Sequence, residues 1–365
     1  MIGGGTTFGL YVAGRFARSV LVVFAVCVAL LFLLDFVELM RRAGEKESID
    51  TASVALISLY RVPALSERLL PFAVLFGAMS SLLMLSRKLE LVVARAAGIS
   101  VWQFLTPPLL FAVLLGVFTT AVYNPVSAQL KVKSERLEVA LFSGTGGGLG
   151  GAGEEAWLRQ DGEDGQSVLH ARKSADQGLT LGDVTVYSFD RDGNFQERIE
   201  ARTATLKNGR WELADAEVGN AEGAIQHFDS YFVATYLTPT QVRESFASAD
   251  TVSIWQLPDY IALAERAGLS ATKFRLQFQS LLARPALLAA MVLIAATVSL
   301  RVFRFGNIGR MILGGVAAGF LLYVLSELAE DFGSAGIVHP AIAAWAPAIV
   351  AALFGATVLL YQEDG

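Results

Sequence analysis

Charge is missing from long stretches of this 365-residue chain: none lies between Arg95 and Lys131, and none between Asp331 and Glu363. A helix needs about 20 apolar residues to span a bilayer, so uncharged runs of this length have few soluble explanations. Cysteine is nearly absent too. Cys27 is the only one and lies inside an apolar run, which excludes a disulfide framework and a cysteine-rich metal site. His170, His227 and His339 are scattered without metal-ligand spacing, and neither G-x-S-x-G nor H-E-x-x-H occurs. No G-x-x-x-x-G-K-[ST] is present, so the chain carries no P-loop for ATP. The net charge of −5 gives no basic field, which excludes nucleic acid as a partner.

What remains is apolar: 54% of residues are hydrophobic, 17% charged, and mean hydropathy is +0.50. Six apolar stretches fall three and three around a polar centre, predicting spans over 11–37, 54–85, 101–123, 276–300, 311–326 and 342–360. Arg61, Pro63, Glu67, Arg68 and Pro71 interrupt the second, predicting a kink or a helix that enters the bilayer only near Leu69. Arg284-Pro285 lies inside the fourth. Arg15 and Arg18 precede the first apolar run as in a signal peptide, but no small-residue cleavage site follows, so an uncleaved helix is expected.

Lys and Arg in the short loops set the orientation. With the N-terminus cytoplasmic, the inside set holds Arg15, Arg18, Arg87, Lys88, Arg95, Arg301, Arg304 and Arg310, against Arg41, Arg42 and Lys46 outside. Both termini are then cytoplasmic and the polar centre lies outside the cytoplasm. Arg41-Arg42 breaks the rule.

The centre changes to the period of strands. Residues 167–172 and 181–187 read as strands, and Asp192-Gly193 and Asn208-Gly209 as hairpin turns, so an antiparallel sandwich or roll is expected. Residues 130–141 extend the third span as a helix leaving the membrane. The glycine-rich run 143–153 holds a formal G-x-G-x-x-G (Gly146, Gly148, Gly151), but it neither follows a strand nor opens a helix, and it reads as a linker.

Residues 86–100 join the second and third spans and suit a short amphipathic helix ended by Gly98. From its residues alone, it is either a membrane-surface connector or a docking element in which Glu90 is free to bind a partner's arginine.

Tyr11, Arg15, Asp35-Phe36-Val37-Glu38, Arg41-Arg42-Ala43-Gly44, Pro63, Pro71 and above all E-L-V-x-x-R-A-A-G-x-S from Glu90 to Ser100 resemble the lipopolysaccharide-exporter permeases, the LptF/LptG family. F-V-E-L-x-R-R and residues 336–347 are most similar to its LptG branch. The resemblance implies a polytopic α-helical membrane protein with six transmembrane helices and an antiparallel β-jellyroll between the third and fourth. The divisions are then 1–130, 131–255 and 256–365. It also implies an inner-membrane location with the β domain periplasmic, and no enzymatic activity of the chain's own. The implied partners are a second, LptF-like permease, a cytoplasmic LptB-like ATPase dimer that binds ATP and Mg, a periplasmic LptA/LptC-like bridge, and lipopolysaccharide itself. The chain would hold no cofactor.

By the same resemblance, Leu89, Glu90, Leu91, Arg95 and Gly98 belong to the ATPase-coupling helix, with Glu90 its anchoring acid. Arg41 and Arg42 contact lipid phosphates, which guanidinium groups suit, beside Glu38 and Asp35. Phe32, Phe36, Phe72, Phe76 and Phe320 are candidate lining residues for acyl chains. Asp35 stands where LptG often has a basic residue, which implies a lipid A of different charge. Two other classes compete. A secondary transporter needs intramembrane carboxylates, but Asp35 and Glu67 read as peripheral and Arg284 as the only deep charge. A membrane-anchored periplasmic sensor or assembly factor explains the centre but leaves six spans idle.

Overall fold

The computed structural model describes residues 3–44, 50–142, 156–162, 165–175, 178–190, 193–220, 225–239, 242, 249–266, 270–300 and 308–363. The glycine-rich run 143–153, Lys46, Asp192, Arg301 and Arg304 lie outside them.

The first half contains α1 (Gly3–Ala43), α2 (Thr51–Arg87), the short α3 (Glu90–Ala96), α4 (Val101–Phe118), a π-helical turn (Thr119–Tyr123) and α5 (Asn124–Phe142). Six strands follow: β1 (Ala156–Gly162), β2 (Gly165–Ala175), β3 (Thr180–Phe189), β4 (Phe195–Lys207), β5 (Arg210–Asn220) and β6 (Ile225–Ala234). The second half holds α6 (Leu257–Arg266), α7 (Thr272–Leu300), α8 (Ile308–Ser334) and α9 (Pro340–Glu363). Six helical segments are long and apolar enough to cross a membrane, and the sheet is inserted between the third and fourth.

α2 starts at Thr51 and runs as one helix through Pro63 and Pro71. Its 37 residues rise about 55 Å against a hydrocarbon core of about 30 Å, so its first turns project beyond the apolar layer with Arg61 on them. The third span also continues past the membrane, through the π turn into α5, as its mixed composition predicts. α8 extends to Ser334, past the expected end at 326, and carries Glu327, Glu330 and Asp331 on a helix.

Lipid offers little hydrophobic drive between helices, so close packing has to hold the bundle. α7 supplies the centre, with Leu288, Ala290, Met291, Val292, Ile294 and Ala295 in one core with Phe16 and Val20 of α1 and Leu70, Val74, Leu75 and Ala78 of α2. Glycines let backbones meet. A Cβ on Gly77 would fall 2.6 Å from the Val20 Cα, and one on Gly116 would fall 2.5 Å from the Pro285 Cα.

The strands pair in sequential order, all antiparallel, as one sheet. Of the sandwich and roll expected, it is the roll: Tyr236, just beyond β6, donates its backbone N–H to the Asp161 carbonyl of β1 at 3.0 Å. A crease does the bending. Pairing is interrupted at Asp183 on β3, Arg202 on β4 and Asp215 on β5, which lie in one row across the sheet. Asp183 (φ +50) and Asp215 (φ +53) are left-handed there, a conformation Asp tolerates better than most residues. The inward phase flips at the row: β5 buries Trp211 and Leu213 before it, Ala216 and Val218 after it. Trp211 closes the core, and its indole N–H donates to Gln160 Oε1 at 2.9 Å. Gly209 (φ +73) supplies the positive φ of the Asn208-Gly209 turn, while Asn208 does not take one.

Candidate functional site

Three groups of polar residues stand out on the bundle, one at each end of α1 and one between the two membrane halves. The first surrounds α3. Its end follows from the R-A-A-G-I-S sequence: Gly98 (φ +83) donates its N–H to Arg95 O, and Ile99 donates to Ala94 O, the paired bonds of a Schellman stop. Ser100 then caps α4 through a capping box with Gln103, at 3.3 and 3.1 Å. At the other end Leu89, which precedes Glu90, is left-handed at φ +59, a strained conformation for a side chain of this type.

This geometry sorts the coupling residues by direction. Leu91 is 1% exposed and packs in one cluster with Val12 of α1, Leu82 and Leu85 of α2, and Phe104 of α4. It anchors α3 and presents nothing outward. Leu89 and Val93 are 59% and 66% exposed, and Arg95 is exposed beside them. The Glu90 carboxylate, read from sequence as free for a partner, is held within the chain. Arg15 Nη1 reaches its two oxygens at 3.1 and 3.4 Å, and the Tyr11 hydroxyl donates to it at 3.3 Å.

The second group closes the far end of α1. Arg41 grips Glu38 through Nε and Nη2 at 3.0 and 2.8 Å, and Arg42 reaches the same carboxylate at 3.0 Å. Glu138 of α5 lies 3.8 Å from Arg42 and 2.8 Å from Arg61, and Arg61 in turn lies 3.4 Å from Asp35. Asp35 is therefore an internal ion-pair partner, not an isolated acid facing lipid.

The third group lies in a cavity of about 190 Å³ between α2, α5, α7 and α8. Glu67, 8% exposed, accepts from Arg284 at 2.8 Å, from Asn124 at 3.3 and 3.5 Å, and from the Ser127 hydroxyl. Asn124 Oδ1 accepts the backbone N–H of Ile254 at 3.0 Å, which ties the returning chain to the same carboxylate. Arg68, Asp250, Tyr323, Glu327 and Glu330 line the rest. The π turn sets this register. It leaves the Ala121 carbonyl to accept from Trp255 Nε1 at 3.1 Å, and it puts the Tyr123 hydroxyl 2.7 Å from Ser66 Oγ. Glu67 lies about 30 Å along α2 from Arg87, which puts it near the edge of the apolar layer, and it is enclosed by protein rather than open to solvent. Its partner is 217 residues away, and nothing local in the sequence announces it.

Residues 10–361 match the family described as "Lipopolysaccharide export system permease LptF/LptG". The chain belongs to the LptF/LptG family. It is 25% identical over 336 residues to the lipopolysaccharide export system permease protein LptG of Escherichia coli (strain K12), covering 90% of each chain. To LptG of Haemophilus influenzae it is 24% identical over 343 residues, covering 92% of this chain and 93% of that one.

In this LptF/LptG permease the five candidate aromatics do not form one wall. Phe32 and Phe36 stack at 5.9 Å near the Arg41 end, where Phe36 packs against the Leu39, Val54 and Ile57 cluster. Phe72 stacks on Phe76 at 6.4 Å and meets Tyr323 at 5.2 Å, so it forms part of the apolar margin of the Glu67 cavity. Phe76 packs into the bundle core, and Phe320 is exposed on α8 among Leu313, Val316, Leu321 and Leu325.

Proposed function

We propose that this chain is one permease half of an ABC exporter that removes lipopolysaccharide from the inner membrane and passes it to a periplasmic bridge. Membership of the LptF/LptG family carries the reading. The α3 connector supports it, because an exposed apolar face (Leu89, Val93) on a rigidly capped stub suits a groove on another protein. A separate ATPase dimer supplies the P-loop and Mg-bound ATP that this sequence does not encode. The Arg15 end faces the cytoplasm and the sheet faces the periplasm, the orientation that the Lys and Arg count favours. Lipid enters beside α1, whose flank shows Leu21, Val26, Leu30 and Leu34, with a second permease opposite. Its phosphates meet Arg41 and Arg42, and ATP-driven closure moves it toward the rolled sheet.

Purifying the tagged chain in mild detergent, with mass spectrometry of bound protein and lipid, tests this. Recovery of a second six-span permease, a P-loop ATPase and lipopolysaccharide is expected. Recovery of the chain alone, from membranes that contain the ATPase, overturns the reading. A second reading, ion-coupled transport, rests on the enclosed Glu67–Arg284 pair. Transport that persists without any ATPase and stops when the proton gradient collapses would select it.

A further inference from the structure

We propose that Arg15 and Tyr11 are positioning residues that latch α1 to α3, so that movement imposed on α3 is delivered to α1. The inference rests on the proposed docking of an ATPase at α3 and adds the route by which that docking acts. Chain connectivity joins α3 only to α2 and α4, through Leu89 and through the Gly98–Ser100 corner. Its contacts with α1 must therefore be made in space.

Two kinds of contact make them. Leu91 lies in one buried cluster with Val12. Around it, Tyr11 and Arg15, one helical turn apart on the same face, close on Glu90. The Arg15 guanidinium addresses both carboxylate oxygens and lies 5.6 Å from the centre of the Tyr11 ring. The tyrosine hydroxyl accepts from the same arginine nitrogen. The ion pair is half-buried, with side-chain exposures of 18% for Arg15 and 27% for Glu90, so salt screens it less than a surface pair.

The far end of α1 carries the Glu38–Arg41–Arg42 group. α1 is one continuous helix of 41 residues, and about 39 Å of rise separate Arg15 from Arg41. A tilt of its Arg15 end therefore reaches the Glu38–Arg41–Arg42 group without passing through a loop. The outward residues of α1 are mostly exposed apolar groups, while Phe16 and Val20 hold it to the α7 core, so a tilt pivots about that contact. Leu89 supports the same idea. Its strained φ holds Glu90 at the first turn of α3, where the carboxylate points back to α1.

The test uses the full chain assembled with a partner permease and the ATPase in vesicles of phospholipid and lipopolysaccharide. It reads ATPase retained, ATP hydrolysed, and lipid delivered per ATP. Arg15→Gln is expected to keep the ATPase bound while lipid delivered per ATP falls about tenfold, a coupling loss within the usual range between linked sites. Arg15→Lys keeps the charge and should keep most of the coupling. The double reversal Arg15→Glu with Glu90→Arg should recover most of what either single change loses. That recovery is a result a Glu90 that served a partner's arginine could not give. Unchanged lipid per ATP in Arg15→Gln overturns the latch and leaves the docking reading standing. So does a double reversal no better than either single variant. Failure of the unmutated chain to retain any ATPase overturns the docking reading and the latch with it.

Discussion

Replacing Arg284 with Met isolates the energetics of the enclosed pair. The methionine fills most of the aliphatic volume but leaves Glu67 with two neutral donors, Asn124 and Ser127, in place of a cation at 2.8 Å. Removing one partner of a buried pair costs about 3–5 kcal/mol, because the remaining charge is stranded away from water. The reverse deletion is milder. Glu67→Gln keeps an acceptor for Asn124 and Ser127, and Arg284, 15% exposed, still shares its cavity with Glu327 and Glu330. Thermal unfolding of detergent-purified protein at fixed lipid and detergent concentration measures all three variants. Arg284→Met should lose about 3–5 kcal/mol and Glu67→Gln about 1–2 kcal/mol. The double variant should lose less than the two single losses added together, giving a coupling of about 1–3 kcal/mol. An Arg284→Met variant within about 0.5 kcal/mol of the parent, with additive double-variant behaviour, would refute the argument that this carboxylate depends on its arginine.

Gly116→Val should open the α4–α7 contact, since even a Cβ there meets the Pro285 backbone; we expect at least about 1–3 kcal/mol lost in the same unfolding assay. Asp215→Val places a β-branched residue at φ +53 and removes the 3.1 Å pair with Arg202, so it should cost about 1–3 kcal/mol. Asp215→Gly, relieved of the backbone strain, should unfold later than Asp215→Val; the opposite order would contradict the crease. Trp211→Phe removes the donor to Gln160 Oε1, which keeps its bond from Thr235 at 2.7 Å, so a loss of about 1–2 kcal/mol is expected, read as a lower midpoint in the sheet's near-ultraviolet dichroism.

The membrane helices were legible because length and absence of charge constrain them directly: all six spans lie where the apolar runs put them. The α3 stop was legible for a local reason as well, since Gly98 and Ser100 carry their own backbone instructions. The strands were only half visible. Residues 181–187 carry an early strand pattern, but the inward phase flips at Asp183, Arg202 and Asp215, and a period-2 search loses the strand wherever the phase changes. The extension of α8 was hidden by Glu327, Glu330 and Asp331, which look like the end of a span until a polar cavity is there to receive two of them. The acids were legible as charges but not as pairs. Glu90, Asp35 and Glu67 each read as an acid waiting for something outside the chain or near its edge, and each is paired with an arginine from another helix. Those partners sit 75, 26 and 217 residues away, beyond any spacing rule for a single helix.

That pairing changes what the Arg41 end can do under the proposed function. Arg41, Arg42 and Arg61 are matched by Asp35, Glu38 and Glu138, three cations against three anions, so the group offers a lipid no net positive charge. Two of the Arg41 donors are already spent on Glu38 in a bidentate grip, the geometry that guanidinium also offers to phosphate. A phosphate reaching this end therefore exchanges with a carboxylate, and its affinity is the difference between two contacts of one kind. A small difference suits a carrier, which has to release its lipid as well as take it. Asp35 then carries no message about the charge of the lipid, because its own charge is answered by Arg61. The sum over the six residues sets the field that an arriving headgroup meets, and moving α1 through Arg15 is a way to change which of the six are paired.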